Sequence, residues 1–362
     1  MMNENRMNDG NKINNTAIIY HEDYLKHDAG ILHPERKERL IETIKYLNES
    51  GLMKKLKSIK PKKATEFDLE RVHSSEYIER IKTYSEMGGY QIDMDTYIDE
   101  KTFEIAKLAA GGVMLAGDLV MSGNFDNSYA LVRPPGHHAK RDKAAGFCYF
   151  NNVAVAVRYL QSKYKLKRIM IFDWDSHAAD GTMSIFWNDP SVLNISIHQN
   201  PATLYPGTGF INQIGGGDGE GYTVNIPMYE NSCDSDYIFI IKNFVIPIAD
   251  SYKPELIIIS AGMDSHKDDP LSSICLTERG YSEMSRIFVE LAERLCRGRI
   301  FAELEGGYNL KALSRSNYEI FKSLLGEASN YKISDNINNI SNHTMGIFNE
   351  LRDLFSKYHR FD

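Results

Sequence analysis

Short apolar runs alternate with longer amphipathic stretches along the chain from Thr16 onward. The short runs are rich in β-branched residues, which is typical of strands, and the longer stretches carry apolar residues at helical spacing. This alternation predicts an α/β fold with a mainly parallel central sheet flanked by helices on both faces. No internal repeat of roughly 20 to 50 residues is visible, which disfavours solenoids and propellers.

The clearest predicted strands lie at 16–20, 128–132, 168–174, 193–197, 255–261 and 299–304. Helices are predicted from Pro34, Glu100, Phe150 and Thr277, the last with Thr277 as its N-cap. The glycine-rich segment 215–221 leads into a strand-like run and not into a helix, so it is predicted as a turn and not as a phosphate-binding loop. The polar stretch from Ser334 is predicted as a loop before a last helix.

Length and composition indicate one large domain. The chain has 362 residues, of which 42% are apolar and 25% charged. We expect a single folded domain over 16–362, preceded by a disordered polar tail at 1–15. That tail lacks the apolar core of a signal peptide, and no run approaches the roughly 20 apolar residues of a membrane span.

Charge and cysteine usage exclude several classes of function. A net charge of −7 provides no concentrated basic face for nucleic acid. The densest basic stretch, at 54–63, is predicted as a solvated helix end and loop. The four cysteines form no C-x-x-C motif, so neither a disulfide framework nor a thiolate zinc cage is indicated, and a reducing cytoplasm is expected.

Metal-binding residue types follow two of the predicted strands. Asp173, Asp175 and His177 alternate at the end of one strand and just beyond it, and Asp264 follows another strand. The carboxyl ends of parallel strands share one edge of a sheet, where ligands bind. Two carboxylates and one imidazole suit a catalytic Zn²⁺ with open positions, and they are also compatible with Fe²⁺ or Co²⁺.

Two further strand ends carry groups suited to proton transfer. His137 and His138 follow a Pro-Pro-Gly turn, and Tyr308 follows Gly306 and Gly307. Imidazole is the usual general base near neutral pH, and a phenol can donate to a developing oxyanion. Taken singly, a His-His pair is more often structural and a strand-end aspartate often caps a helix. Four such fragments at four strand ends favour a catalytic site, and no nucleophile elbow, H-E-x-x-H or P-loop motif competes with it.

At these residues the chain resembles the zinc-dependent histone deacetylase family, which also includes acetylpolyamine amidohydrolases, and it is most similar to the class II branch. The motifs that carry the resemblance are RPPGHHA, GFCYFNN, DWDSH, DGT, SAGMD, DDPL and LEGGYNL, in this order. They extend over most of the chain. The resemblance implies an arginase-like parallel sheet flanked by helices.

The resemblance also implies roles for individual residues. The zinc ligands would be Asp175, His177 and Asp264. His137 and His138 would be the catalytic pair, supported by Asp173 and Asp180 respectively, and Tyr308 would be the electrophilic phenol. Gly146, Phe147 and Tyr205 would line the substrate tunnel, with Asp95 or Thr96 and Leu271 at its mouth. One structural K⁺ would be held by Asp173, Asp175, His177, Ser196 and Ile197, and a second by Phe186, Asp189, Val192 and Tyr222.

One departure from the family pattern lies beside the ligands. The family usually reads D-x-D-x-H-H-G-[ND]-G, whereas Ala178 and Ala179 replace the second His and the Gly here. His177 and Asp180 remain, so the metal site is expected to persist. Ala178 and Ala179 are expected to affect the local backbone and the level of activity.

Three functions remain open at this point. The first is a deacylase that hydrolyses N-acyl-lysine amides in proteins or peptides. The second is an amidohydrolase of acetylpolyamines or other small N-acyl amines. The third is a catalytically weak acyl-lysine-binding module, suggested by Ala178 and Ala179 but disfavoured by the retained Tyr308 and paired histidines. The oligomeric state is not indicated by the sequence.

Overall fold

The computed structural model describes residues 7–8, 11–12, 14–30, 32–329, 331, 333 and 340–361. Most of the predicted tail and the greater part of the loop from Ser334 lie outside the described residues. Within the tail, strands β1 (Met7–Asn8) and β2 (Asn11–Lys12) pair antiparallel. The side chain of Asn14 donates a hydrogen bond to the carbonyl of Leu324, so Asn14 already packs against the domain. The boundary between tail and domain stays a prediction.

The centre of the molecule is an eight-stranded sheet in which every neighbouring pair is parallel. Its strands are β3 (Thr16–Ile19), β4 (Lys57–Ile59), β7 (Asn127–Ala130), β8 (Ile169–Asp173), β9 (Val192–Gln199), β10 (Thr223–Met228), β11 (Leu256–Ala261) and β12 (Ile300–Leu304). Their spatial order is β10-β9-β8-β11-β12-β7-β3-β4. A separate hairpin joins β5 (Gly89–Gln91) and β6 (Tyr97–Asp99).

Helices cover the sheet. They are α1 (Glu38–Glu49), α2 (Glu66–Leu69), α3 (Ser75–Glu86), α4 (Thr102–Met121), α5 (Asn152–Tyr164), α6 (Asp180–Phe186), α7 (Asp234–Ile240), α8 (Ile246–Tyr252), α9 (Glu278–Cys296), α10 (Leu310–Leu324) and α11 (Asn342–Phe355). Helix α4 packs on α5 and against β3, β7 and β12. Helices α9 and α10 pack on each other, α9 also against β11 and β12 and α10 against β7. The predicted α/β fold is therefore confirmed, including the N-cap hydrogen bond at Thr277.

The apolar runs became strands because both faces of the sheet are covered. All residues of β8, β11 and β12 are buried, as the near-continuous apolar pattern of a parallel sheet requires. The prediction for the basic stretch at 54–63 was wrong in one respect. Lys57–Ile59 is an edge strand, and its mostly polar composition fits a strand that pairs on one side and is largely exposed.

The strand register brings the carboxyl ends to one level. Asp173 of β8 pairs with Ser196 of β9 and with Ser260 of β11, and Ser260 pairs with Glu303 of β12. The segments that follow these residues therefore emerge side by side at one edge of the sheet. Within the described ranges, no helix combines the length and apolar character that crossing a membrane requires.

Candidate active site

Three side chains of types that ligate metals meet where β8 and β11 end, and we call them the metal-binding group. Asp175 and His177 follow β8, and Asp264 follows the adjacent strand β11. The His177 Nδ1 atom lies 3.1 Å from Asp175 Oδ1 and 2.9 Å from Asp264 Oδ2. Each residue offers one ligand atom, and these atoms all lie within 4.8 Å of one another. Both carboxylates are fully buried.

The chemistry of this group fits a bound cation. Burial alone would lower the pKa of His177, but its contacts with Asp175 and Asp264 raise the pKa to about 10. The site thus favours positive charge between its carboxylates, and a divalent metal supplies that charge while the imidazole is neutral. Gly306 and Ser176 hold the outer carboxylate oxygens, since their N–H groups donate to Asp175 Oδ2 and Asp264 Oδ1 over 2.8 Å each.

The two adjacent histidines project from the loop that follows β7. The Nδ1 atom of His137 lies 3.0 Å from Asp173 Oδ2, and that of His138 lies 2.8 Å from Asp180 Oδ1. Each carboxylate fixes Nδ1 as the donor, so Nε2 is the nitrogen available for proton exchange. The ring centroids are 4.0 Å apart, and both residues are 3% exposed.

Their surroundings shift the two pKa values in opposite directions. Burial lowers the pKa of His137, but the charges of Asp175, Glu305 and Asp173 outweigh it and raise the pKa well above its usual value. Burial and the neighbouring His137 lower the pKa of His138 to about 4. These surroundings therefore favour the protonated form of His137 over that of His138.

A network that the sequence interpretation missed holds the histidine loop. Glu305 Oε2 accepts hydrogen bonds from the N–H groups of Gly136 (2.8 Å) and His137 (3.2 Å). Arg133, in the same loop, pairs with Glu35 over 2.8 Å in the fully buried interior. The sequence signal that could have identified these residues was a charged residue within an apolar segment, because ionised residues are rarely buried without a partner.

Tyr308 is held by its backbone and enclosed by its neighbours. Its N–H donates to Asp269 Oδ2 over 2.6 Å, and the N–H of Asn309 donates to the same oxygen over 3.0 Å. The guanidinium of Arg39 lies 5.1 Å from the ring centroid, and Arg39 Nε donates to the carbonyl of Gly307. Burial raises the pKa of Tyr308 well above 10, so the phenol stays protonated and can donate. Arg39 and Asp269 were not predicted from the sequence.

A cavity of about 910 Å³ opens above this centre. It is lined by His138, His177, Gly146, Phe147, Tyr205, Leu271, Tyr308 and Asp95, all predicted, together with Ala29, Gly30, Leu32, His33, Pro34, Met94 and Leu204, which were not. Thr96 lies behind the wall, where its hydroxyl accepts a hydrogen bond from the Phe147 N–H over 3.2 Å. The cavity therefore joins the metal-binding group to solvent.

The wall beside His138 has an unusual backbone. Gly146 and Phe147 have φ values of +55° and +67°, in the left-handed region that bulky residues rarely adopt. A Cβ at Gly146 would lie 2.4 Å from His138 Cδ2, so only glycine fits there. The turn sets the Phe147 ring at a centroid distance of 5.8 Å from Tyr308 and 4.6 Å from His33.

Ala178 and Ala179 leave the residues around them in place. Both are buried, and Ala178 packs against the backbone of Gly209. The flanking His177 and Asp180 still make the contacts described above. The small side chains therefore change packing beside the centre without displacing the metal-binding group.

The two sets of residues predicted for potassium are separate in the structure. Ser196 and Ile197 lie on β9 beside Asp173, below the metal-binding group. The second set begins on the turn from α6 to β9, which carries Phe186, Asp189 and Val192. In that turn the Asp189 N–H donates to the Phe186 carbonyl. The fourth residue of the set, Tyr222, precedes β10. The Asp189 carboxylate already binds Arg158 and Ser191. Potassium binding stays a prediction at both places.

Comparison with known proteins assigns the family. The histone deacetylase domain model matches residues 33–324. A probable deacetylase of Archaeoglobus fulgidus is 46% identical over 314 residues, which are 86% of each chain. Histone deacetylase 15 of Arabidopsis thaliana is 39% identical over 325 residues, which are 86% of this chain and 57% of the plant protein. The chain belongs to the histone deacetylase family.

The fold agrees with this assignment. The crystal structure of the HDA15 HD domain matches with a TM-score of 0.89 at 36% identity, covering 95% of this chain and 97% of that one. The chain is therefore a hydrolase of the deacetylase type with an arginase/deacetylase fold. This family is generally metal-dependent, and Asp175, His177 and Asp264 form a group that could hold a metal ion.

Proposed function

We propose that the chain is a zinc-dependent deacylase that hydrolyses the amide of N-acetyl or other N-acyl lysine in proteins or peptides, giving a carboxylate and a free amine. The supporting observation is the convergence of His177, His138 and Tyr308 on one open cavity. A metal ligand, a proton carrier and an oxyanion donor are the parts that amide hydrolysis needs.

The metal would be held by Asp175, His177 and Asp264. When bound, Zn²⁺ supplies Lewis acidity, lowering the pKa of water and polarising the acyl oxygen; Fe²⁺ and Co²⁺ also suit these ligands. Three protein ligands leave positions for water and substrate.

The remaining chemistry belongs to the chain's own side chains. The His137 and His138 pair accepts the proton of the attacking water, with Asp173 and Asp180 holding the two rings. We assign the return of the proton to the leaving amine to His138, because His138 lines the cavity in which that amine must lie. The Tyr308 phenol donates a hydrogen bond to the acyl oxygen as negative charge develops there.

The cavity walls favour an alkyl chain. Phe147 and Tyr205 present aromatic surface, and Gly146 brings the backbone close to His138. The four methylenes of lysine would lie between these walls, leaving the peptide backbone at the mouth beside Asp95 and Leu271.

Leu271 favours an acyl-lysine peptide over an acetylpolyamine as the substrate. A second ammonium group beside Leu271 would lose hydration without gaining a partner. The alternative substrate, an acetylpolyamine or other small N-acyl amine, is favoured by Asp95, whose carboxyl group lies in the cavity lining with Asp93 beside it. We also propose structural K⁺ at the two predicted sites and a cytoplasmic location.

A side-by-side turnover assay tests the proposal. The zinc-loaded protein would be compared on acetyl-lysine peptides, longer acyl-lysine peptides and acetylspermidine. We expect the highest kcat/KM on an acyl-lysine peptide, and we expect Leu271→Glu to shift the ratio toward acetylspermidine, with Leu271→Met as the matched apolar control. A wild type that prefers acetylspermidine over every peptide would replace the proposal with the alternative substrate.

A further inference from the structure

Two cysteines outside the active site are held side by side by the backbone. Cys233 precedes α7, and Cys275 lies between Asp264 and α9. The two residues are partners in an isolated parallel β-bridge, in which the Cys275 N–H donates to the carbonyl of Ser232 over 2.9 Å. Their proximity comes from the fold, since 41 residues separate them in the chain.

This pairing meets the geometric demand of a disulfide. Neighbouring strands lie about 4.7–4.9 Å apart, and disulfide-bonded cysteines have Cα atoms about 4.4–6.8 Å apart. Directly paired residues in a ladder also project to the same face, so both thiols lie on one side. The present thiol contacts are weak ones. Cys233 Sγ lies 3.2 Å from Ser235 Oγ and donates to Asp236 Oδ2 over 3.3 Å, and Cys275 Sγ lies 3.9 Å from Asn231 Oδ1.

Hydrogen bonds on both sides of the bridge fix its register. The Asn231 N–H donates to the carbonyl of Ser273 over 2.7 Å. Two residues after Cys275, the N–H and hydroxyl of Thr277 donate to the carboxylate of Asp234 over 2.8 and 2.6 Å. These hydrogen bonds therefore hold the two cysteines side by side in the bridge.

Exposure separates this pair from the other two cysteines. Cys233 and Cys275 are partly exposed, whereas Cys148 and Cys296 are buried. Burial also raises the pKa of the Cys148 thiol well above its usual value and that of Cys296 to about 11. A thiol reagent can therefore reach Cys233 and Cys275 while the buried thiols stay protonated.

We propose that Cys233 and Cys275 form a reversible intrachain disulfide on exposure to a low-molecular-weight disulfide such as glutathione disulfide. One cysteine thiolate attacks the reagent, forming a mixed disulfide and releasing one glutathione thiol. The second cysteine, as its thiolate, attacks the protein sulfur of that mixed disulfide and releases the other thiol. The two cysteines are oxidised, the reagent is reduced to two thiols, and the two cysteine protons pass to the released thiolates or to solvent.

The bond would secure a segment that reaches the active site. Residues 264–277 contain Asp264, and Asp269, which holds the backbone of Tyr308. Within the segment, the Ser272 hydroxyl donates to the carbonyl of Asp264 over 2.6 Å. Tying Cys275 to the start of α7 restricts local opening of this segment, so its amide hydrogens should exchange more slowly in the oxidised protein.

The test uses the full chain, first reduced and then incubated with glutathione disulfide. Of its four thiols, we expect two to be lost without any retained glutathione, and peptide mapping without reductant to link Cys233 to Cys275. Dithiothreitol should restore both thiols. Hydrogen exchange across 264–277 should be slower in the oxidised form.

Cys233→Ser and Cys275→Ser serve as matched variants. Each should hold one glutathione on its remaining partly exposed cysteine and form no intrachain link. The proposal is overturned if the wild type keeps all four thiols, carries a glutathione on each cysteine of the pair, or forms links between chains. An intrachain disulfide in either variant would overturn it equally, because it would involve a buried cysteine.

Discussion

Each reactive side chain of the centre has a second contact that orients it. His137 and His138 rest on separate carboxylates, and the backbone of Tyr308 is tied to Asp269. Such contacts reduce the conformational freedom that would otherwise have to be lost when the substrate binds. Substitutions at the centre should therefore divide into those that remove a reacting group and those that loosen one.

Asp264→Ala should lose bound metal and hydrolysis together. Three ligands leave little redundancy in an open site, and His177 would keep one carboxylate neighbour in place of two. Metal analysis of the purified protein, with hydrolysis of an acetyl-lysine peptide, measures both effects. Asp268→Ala is the control, since the Asp268 side chain is 58% exposed. Full metal occupancy in Asp264→Ala would remove Asp264 from the ligand set.

Tyr308→Phe should keep its fold and its metal but lose about 10²- to 10³-fold in kcat, the usual effect of deleting one oxyanion donor. Tyr205→Phe is the matched control, because it removes a phenol from the same cavity while leaving the aromatic wall. Steady-state kinetics on one acetyl-lysine peptide compares the two variants. Equal rates in Tyr308→Phe and wild type would show that the phenol takes no part.

At the scale of elements, the ends of neighbouring strands contribute different groups to the site. The end of β8 provides Asp175 and His177, the end of β11 provides Asp264, and Glu305 after β12 holds the histidine loop. The close approach of Gly306 to Asp175 shows how tightly these ends pack, since a Cβ at Gly306 would lie 2.5 Å from Asp175 Oδ2. The loop that carries the histidines thus depends on a strand from elsewhere in the chain.

Glu305→Gln should lower kcat about 10-fold and leave KM nearly unchanged. The neutral amide is a weaker acceptor for the N–H groups of Gly136 and His137, so the His137 ring is held less firmly. Metal content should be retained, which separates this effect from ligand loss. Glu319→Gln is the control, because Glu319 is also buried but binds Ser282 and Ser329. A change confined to KM would contradict the positioning role.

The central elements could be predicted from the sequence because their signals are local. The apolar run at 255–261 became β11 (Leu256–Ala261), since a strand buried on both faces needs apolar residues throughout. The edge strand Lys57–Ile59 has no such signal. Helices α3 and α10 were not singled out, although the apolar faces now seen at Tyr77, Ile78 and Ile81 follow helical spacing.

The residues of the candidate site likewise divide into those that local sequence signals predict and those that they do not. Residues next to a strand end, such as Asp175 and Tyr308, could be selected because a parallel sheet gathers its carboxyl ends. Glu305 could not be assigned to its partner, because 169 positions separate it from Gly136 and nothing local specifies that contact. The cavity mouth was also incomplete in the prediction, since Leu32 and Met94 come from loops without periodic pattern.

At the scale of the whole molecule, one buried histidine joins distant segments. His73 Nδ1 donates to the carbonyl of Lys140 over 3.0 Å, and Nε2 accepts from the Asn151 N–H over 3.0 Å. These bonds require a neutral ring. Burial lowers the pKa of His73 to about 4, below the value of about 6.5 expected in the unfolded chain.

The pKa shift of His73 gives a prediction for stability. A depressed folded-state pKa contributes stability that is present above about pH 6.5 and is lost as the pH falls toward 4. His73→Gln should therefore be destabilised by about 1–3 kcal/mol at pH 7 and approach the wild type near pH 4. Urea unfolding across this range measures the difference, with the exposed His343→Gln as control. A difference independent of pH would exclude His73 titration as the cause.

The cavity is built from two kinds of structure, and this affects how its selectivity can change. Its floor belongs to buried strand ends, whereas its mouth includes Leu32, Met94 and Tyr205, which are 97%, 101% and 45% exposed. Exposed loop residues can be exchanged with little effect on folding, whereas the floor residues cannot. The mouth can therefore be transplanted between relatives as a set of loops, giving new substrate ranges on an unaltered hydrolytic centre.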